Sequence, residues 1–351
     1  MFFEAFAVVW TFGIIIFLHE LGHFLSARWM GVRVEKFSFG FGPEIVGKTI
    51  GDTRYCICVF PLGGMVKLAG EQQDETSGRT DEFYSQAWYR RVFIVASGPV
   101  MNFILAICFF FITIFFWGVG APSSEPVVGD LMQGFPAELA GIKPGDKIVE
   151  IDGRGIGAWQ DASEVIHSKG GQKVIIEILR ENKKLMFEIV PRQDSELNIG
   201  LIGIIPVLAV QKVGPIKSLG YSIGHTFGLS VFYVRYILDR IIKLKKPDVA
   251  GPIGIAQFIA RAARQGVSSL LNFVGGISVM VGLLNLFPIP ILDGGHIFFF
   301  VLEGIFRRRV NKKVIETANF VGLFVILVIF LYAFYSDFQR LGILQRLGIL
   351  P

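Results

Sequence analysis

A chain of 351 residues of which 52% are hydrophobic and only 18% charged, with a mean hydropathy of +0.56, is too apolar for a soluble protein of its size and reads as a membrane protein. Its 34 phenylalanines suit a lipid solvent, in which backbone polar groups must pair within helices. The net charge of +5 does not indicate nucleic acid, because lysine and arginine gather beside apolar stretches, as at Arg307, Arg308, Arg309, Lys312 and Lys313, where the positive-inside bias places them.

Four stretches are long and apolar enough to predict bilayer spans: about 2–29, about 92–118, about 268–305 in two pieces broken by Pro288 and Pro290, and about 314–335. The first is read as retained rather than as a signal peptide, because Glu4 stands where a basic segment belongs. Residues 31–91 hold eight lysines and arginines, and the connection between the third and fourth spans holds the Arg307–Lys313 cluster. Both connections are therefore expected in the cytoplasm, with the termini and residues 119–267 outside. Cys56, Cys58 and Cys108 form no disulfide framework.

The polar stretch Glu71–Glu82 reads as a flexible loop. Two β-rich runs, Val174–Leu179 and Leu185–Val190, follow the string Gly141 to Gly153, and Phe135–Ala140 predicts a short helix before it. The string is similar to the core of a PDZ domain, here about residues 122–193. Residues 216–243 are helical in period but carry Lys217, His225, Arg235, Arg240 and Lys243, which predicts an amphipathic helix on the outer surface. The basic run Arg240–Lys246 would then lie outside, against the positive-inside bias, which long translocated loops partly escape. The organisation expected is 1–118, the first two spans; 122–193, the PDZ-like domain; 194–267, an extracytoplasmic helical region; and 268–351, the last two spans.

His19-Glu20-Leu21-Gly22-His23 carries the chemistry. Positions i and i+4 share one helix face, so two imidazoles can bind one metal while Glu20 reaches a water on it. With five histidines in the chain, such a string is not expected by composition. Ionisable groups at the end of an apolar helix are expensive in lipid and are kept for a function. His19 lies ~26 Å along the first span, towards the cytoplasmic side. Catalytic zinc takes three protein ligands and leaves a position for water. The third candidate is Asp293, an acid in apolar surroundings, followed by two glycines read as letting the backbone pass close to another helix; His296 is the competitor. Asn285 is a candidate donor to the substrate backbone or oxyanion, with helix packing as its alternative role. Tyr55–Lys67 alternates in part and is expected to turn at Pro61–Gly64, giving a β-hairpin that adds an extended substrate as a further strand, with Gly63, Gly64 and Met65 along it.

Together the HELGH string, Pro61–Lys67, Ser97–Asn102, the PDZ-like string, Gly251–Ile255 and Asn285–Gly294 resemble the site-2 protease family of intramembrane zinc metalloproteases, in its bacterial regulator-of-sigma-E branch. The resemblance implies an α-helical membrane protein of about four transmembrane helices. A membrane-reentrant β-loop and an inserted extracytoplasmic α+β PDZ domain complete the expected fold. It further implies Zn2+ held by His19, His23 and Asp293, Glu20 as general base, and Asn285 holding the substrate backbone. The implied substrates are pre-trimmed single-span membrane proteins, such as anti-sigma factors or remnant signal peptides, cut in regulated intramembrane proteolysis at a bacterial cytoplasmic membrane. The best-known Gram-negative members carry two PDZ modules, whereas this chain has length for one. An anchored peptidase acting on soluble proteins would need a soluble catalytic domain beside HELGH, and a scaffold without activity would tolerate a broken metal motif. Neither feature is found.

Overall fold

The computed structural model describes residues 2–194, 199–243 and 250–340. Helix α1 (Phe2–Trp29) is 28 residues long, about 42 Å at the α-helical rise, and closes on Gly31, whose φ of 77° no branched residue would accept cheaply. It is followed by two long antiparallel strands, β1 (Val34–Ile50) and β2 (Thr53–Leu68). The hairpin turns at Gly51 and Asp52, where Ile50 faces Thr53 and Gly51 has a φ of 60°. This corrects the turn expected at Pro61–Gly64. Those residues lie inside β2, at an irregularity where the partners of β1 jump from Phe41 opposite Phe60 to Phe39 opposite Gly64. The pair folds over itself, so Lys36–Phe39 faces Lys67–Gly64 on one side and Arg54–Ile57 on the other.

The hairpin runs beside α1. Phe37 packs on Phe24, Phe39 stands edge-on to Phe17, and the carbonyl of Pro61 is 3.4 Å from the position of a β-carbon on Gly13. From Phe24 to Gly13 is about 16 Å of helix, so the strands reach well down the span. The hairpin also exposes Phe41, Ile45, Val46 and Phe60, side chains that suit lipid and not water.

The loop after β2, expected to be flexible, is pinned. The Glu82 carboxylate accepts the backbone N–H groups of Ser77, Gly78 and Arg79, and Asp81 pairs with Arg33. Helix α2 (Trp88–Trp117) contains Pro99 and closes one core with Phe24, Val34, Leu68, Phe83, Tyr84, Ile94 and Phe300.

Residues Phe116–Val213 form a separate compact unit. Its elements are β3 (Val119–Pro122), β4 (Val128–Leu131), α3 (Pro136–Ala140), β5 (Lys147–Ile151), β6 (Arg154–Gly155), α4 (Trp159–Ser168), β7 (Val174–Arg180), β8 (Lys183–Ile189), β9 (Arg192–Gln193), β10 (Gly200–Leu201), β11 (Ile204–Pro206) and β12 (Leu208–Gln211). The sheet runs β6-β5-β7-β8. Alternation in β7 buries Val174, Ile176 and Ile178, which meet Ile148 and Ile151 of β5 and Ala162, Val165 and Ile166 of α4. Asp146, almost fully buried, accepts from Nε and Nη2 of Arg180, each at 2.7 Å. The unit extends beyond the expected limits of 122–193 because β11 pairs with β4 and β12 with β3. Strands of three or four residues carry too little periodicity to be read from sequence.

The chain then forms α5 (Pro215–Ile242), α6 (Pro252–Gln265), α7 (Val267–Leu286), α8 (Asp293–Phe306) and α9 (Lys312–Arg340). Among the described residues, four helices have the length and apolarity to cross a membrane: α1, α2, α7 and α9. Helix α5 is not one of them, but it does not lie apart on an outer surface as expected: Leu229 and Tyr233 pack with Ala106 and Phe110 of α2 and Val279 of α7, and His225 stands edge-on to Phe110. The expected helical region 194–267 divides, since its first strands belong to the inserted unit and α6 joins the membrane core, with Ile259 and Ala263 against Ala7, Leu105 and Val274. Of the basic run Arg240–Lys246, residues 244–246 lie outside the described residues, as do 341–351.

Gly251 and Gly254 open α6, and their N–H groups donate to the two carboxylate oxygens of Asp337 on α9 at 3.0 and 2.9 Å. A β-carbon at either glycine would stand within 2.7 Å of that carboxylate, which accounts for the Gly-Pro-Ile-Gly spelling. At the other end of the helices the two expected cytoplasmic connections touch: Lys312 pairs with Asp74 at 2.6 Å, Arg309 donates to the Tyr84 carbonyl, and Arg91 pairs with Glu303 in a buried bridge. Arg264 of α6 pairs with Glu4 at the start of α1. The ends therefore sort as an even number of crossings between the two connections requires.

Candidate metal centre

Three side chains converge where α1, α2 and α8 meet. His19 and His23 lie one turn apart on α1, and their Nε2 atoms are 3.2 Å apart. Oδ2 of Asp293 is 3.1 Å from His19 Nε2 and 3.6 Å from His23 Nε2. Among the described residues this is the one group of three such donors drawn together. It has no other evident purpose, for Oδ2 of Asp293 is buried without a hydrogen-bond donor. The circle through the three atoms has a radius of about 1.9 Å, so the three atoms could all bond one ion at the ~2.0–2.2 Å typical of zinc–imidazole and zinc–carboxylate bonds. Two imidazoles, one carboxylate and an open side are the donor set of a catalytic zinc.

Asp293 reaches this point through a tight approach. The chain leaves α7 at Phe287, passes Pro288 and Pro290, and Ile291 takes a φ of 78°. A β-carbon on Gly294 would lie 2.1 Å from the Phe287 carbonyl, and one on Gly295 2.5 Å from that of Ile289. The two glycines thus let the first turn of α8 close on the C-terminal end of α7, where a β-carbon on Gly294 would also lie 2.5 Å from the Leu286 carbonyl, and on the loop that follows it. Asp293 is then the first residue of α8, where the helix dipole favours a carboxylate. The loop is held by Asn319 of α9, whose side-chain oxygen accepts the Ile291 N–H.

Helix α2 supplies the back wall. A β-carbon on Gly22 would meet the Ser97 carbonyl at 2.4 Å, so α1 and α2 close on small residues. His23 Nδ1 donates to the Ile94 carbonyl at 3.0 Å, and Asn102 meets His19 Nδ1 at 3.2 Å. The Ser97–Asn102 string had no role assigned by pattern alone. A buried amide in an apolar helix was the available signal.

A cavity of about 620 Å³ opens beside the cluster, and Glu20, Gly64, Met65, Glu71, Asp293 and His296 are on its wall. Glu20 approaches β2 so closely that a β-carbon on Gly64 would be 3.2 Å from its Cγ. His296 shares the cavity but is not one of the three converging donors. Gly63 does not line it; the space beside that residue holds the Phe41 ring. Asn285 is half-buried near the end of α7 and is not on the wall either.

The profile of Peptidase family M50 matches residues 7–329. A relative from Mesorhizobium japonicum named as a zinc metalloprotease is 31% identical over 351 aligned positions, covering 92% of this chain and 95% of that protein. One of the same description from Campylobacter jejuni is 33% identical, covering 96% and 94%. Among solved structures, the PDZ domain of an SdrC-like protein from Listeria monocytogenes aligns with 25% of this chain and 94% of that one, at 30% identity and a TM-score of 0.22.

Proposed function

We propose that this chain, which belongs to peptidase family M50 and is a membrane zinc metalloprotease of the site-2 type, hydrolyses peptide bonds of single-span membrane proteins through a centre built from His19, His23, Asp293 and Glu20. The observation that carries the assignment is the triangle of Nε2, Nε2 and Oδ2 atoms, whose three residues line the cavity.

His19, His23 and Asp293 would hold a zinc ion here, which when bound would supply the acidity of an attacking water and the polarisation of the scissile carbonyl. Glu20, one residue beyond His19 and facing the same cavity, takes the water proton and returns it to the departing nitrogen. His19 and His23 stay fixed in orientation through their contacts with α2. A transmembrane helix hides its peptide bonds in its own hydrogen bonds, so the substrate must be drawn out before attack. The Gly64–Lys67 arm of β2 has Phe39–Lys36 on one side and no second strand among the described residues on the other. Gly64, Met65 and Val66 line the cavity, which supports pairing of an extended substrate with this arm. Gly63 acts by letting Phe41 lie against the arm, and Asn285 receives the substrate backbone as it enters. The substrates are already shortened outside the membrane, in the manner of anti-sigma factors or remnant signal peptides. The chain sits in a bacterial cytoplasmic membrane with its PDZ-like unit outside and serves regulated intramembrane proteolysis.

Metal analysis of purified variants beside a cleavage assay in detergent tests the assignment. Glu20→Gln keeps zinc and loses turnover, Asp293→Asn lowers both, and His296→Ala keeps zinc. Full zinc and full activity in Asp293→Asn, with loss of both in His296→Ala, would transfer the third ligand to His296. Membrane proteomics of Glu20→Gln against wild type then names the substrates, as single-span proteins that accumulate uncut.

A further inference from the structure

An imidazole offers a metal one nitrogen only if its proton sits on the other, so each ligand histidine needs an acceptor behind it. For His23 that acceptor is unambiguous. Nδ1 lies 3.0 Å from the Ile94 carbonyl oxygen, which has no hydrogen to give, so the proton is on Nδ1 and Nε2 keeps its lone pair.

Behind His19 stands Asn102, fully buried, with its amide nitrogen 3.2 Å from Nδ1. In that orientation the amide would donate to Nδ1 and force the His19 proton onto Nε2, the atom that faces Asp293 and His23. The amide oxygen would meanwhile be buried with no donor, at a cost of about 1–3 kcal/mol. Turning the amide over exchanges its oxygen and nitrogen without changing its volume. No hydrogen bond is broken at the position the oxygen leaves, which the amide nitrogen then takes, because no donor faces it; at the new position the oxygen receives the His19 Nδ1–H.

We propose that Asn102 is a positioning residue whose side-chain oxygen accepts the Nδ1 proton of His19, so that His19 presents its Nε2 lone pair to zinc. The proposal rests on His19 being a zinc ligand. Asn102 is itself held from α7, where the Ser278 hydroxyl donates to its backbone carbonyl at 2.8 Å and Gly282 leaves room for its β-carbon, 3.2 Å from where a β-carbon on Gly282 would stand. One helix, α2, therefore fixes the tautomers of both ligand histidines, Ile94 for one and Asn102 for the other.

The test is zinc affinity, measured on the purified full-length protein by competition with a chromogenic chelator, together with the visible spectrum of the cobalt-substituted form. Asn102→Leu, similar in size and unable to accept, is expected to weaken zinc binding by about 10–100-fold and to alter the cobalt spectrum. Asn102→Asp accepts but cannot donate when ionised, and is expected to bind zinc at least as tightly as wild type. Wild-type affinity in Asn102→Leu would overturn the proposal, as would equal loss in Asn102→Leu and Asn102→Asp, because the amide N–H would then be the group that matters. His19→Ala is run beside them. If it kept wild-type affinity, the assignment of His19 as a ligand would fall, an outcome distinct from failure of Asn102 alone.

Discussion

Gly98 lies so close to His23 that a β-carbon at this position would stand 2.3 Å from the His23 Nε2 atom, and 3.0 Å from Cε1 of His19. Any side chain here must push both imidazoles off the point at which they meet Asp293. Gly98→Ala is expected to lose most of its zinc and to cut turnover by about 10²-fold, the scale of an ångström-sized misplacement. Its circular dichroism should match wild type. Metal content and cleavage rate at wild-type levels would mean that α2 moves aside freely.

Asp337 acts at a distance from the chemistry. It is almost fully buried and caps α6 through two backbone N–H groups. Asp337→Ala leaves both donors without a partner and is expected to destabilise the protein by about 1–3 kcal/mol, with Asp337→Asn intermediate. Denaturation in mild detergent measures the loss, and activity per folded molecule should be unchanged. A variant as stable as wild type would remove the cap from the account of this fold.

Arg91 and Glu303 form a bridge in which both side chains are at most 5% exposed, and the guanidinium also lies over the rings of Tyr84 and Phe300. Removing one partner strands a buried charge, so Arg91→Met or Glu303→Leu alone is expected to cost about 3–5 kcal/mol. The double variant should recover most of it. Additive losses in the cycle would show that the two groups do not sense each other.

The orientation in the membrane is open to labelling in cells after the native cysteines are replaced. A membrane-impermeant thiol reagent should reach single cysteines placed near Glu125 or Asp161 and fail to reach those near Asp74 or Asn311. The reverse pattern would invert the topology. Reaction at one but not the other of the last two sites is incompatible with the Lys312–Asp74 pair.

What was legible in the sequence was local or strongly periodic. The spacing of His19 and His23 is a property of a single helix turn, and the four spans declare themselves by length. Asp293 could be singled out because an acid among apolar residues needs a reason. The hairpin turn was misplaced because Pro61-Leu-Gly-Gly64 is the louder turn signal, whereas the chain reverses at Gly51-Asp52, and the irregular pairing of β2 leaves no clean alternation to settle the register. The roles of Asn102 and Asp337 depend on partners 83 and more residues away, so no window of sequence contains them. The last strands of the inserted unit escaped for a related reason, since each is defined by a partner some 70 or more positions earlier and not by its own composition.

The pairing of β3 with β12 sets Val119–Pro122 alongside Leu208–Gln211, so the unit Phe116–Val213 leaves and rejoins the chain at adjacent points, about 5 Å apart across the ladder. Such an insertion is a cassette. It can be lost, exchanged or copied in tandem while the helices on either side see the same short gap. Lineages can then revise what this unit samples without renegotiating the residues that surround His19, His23 and Asp293.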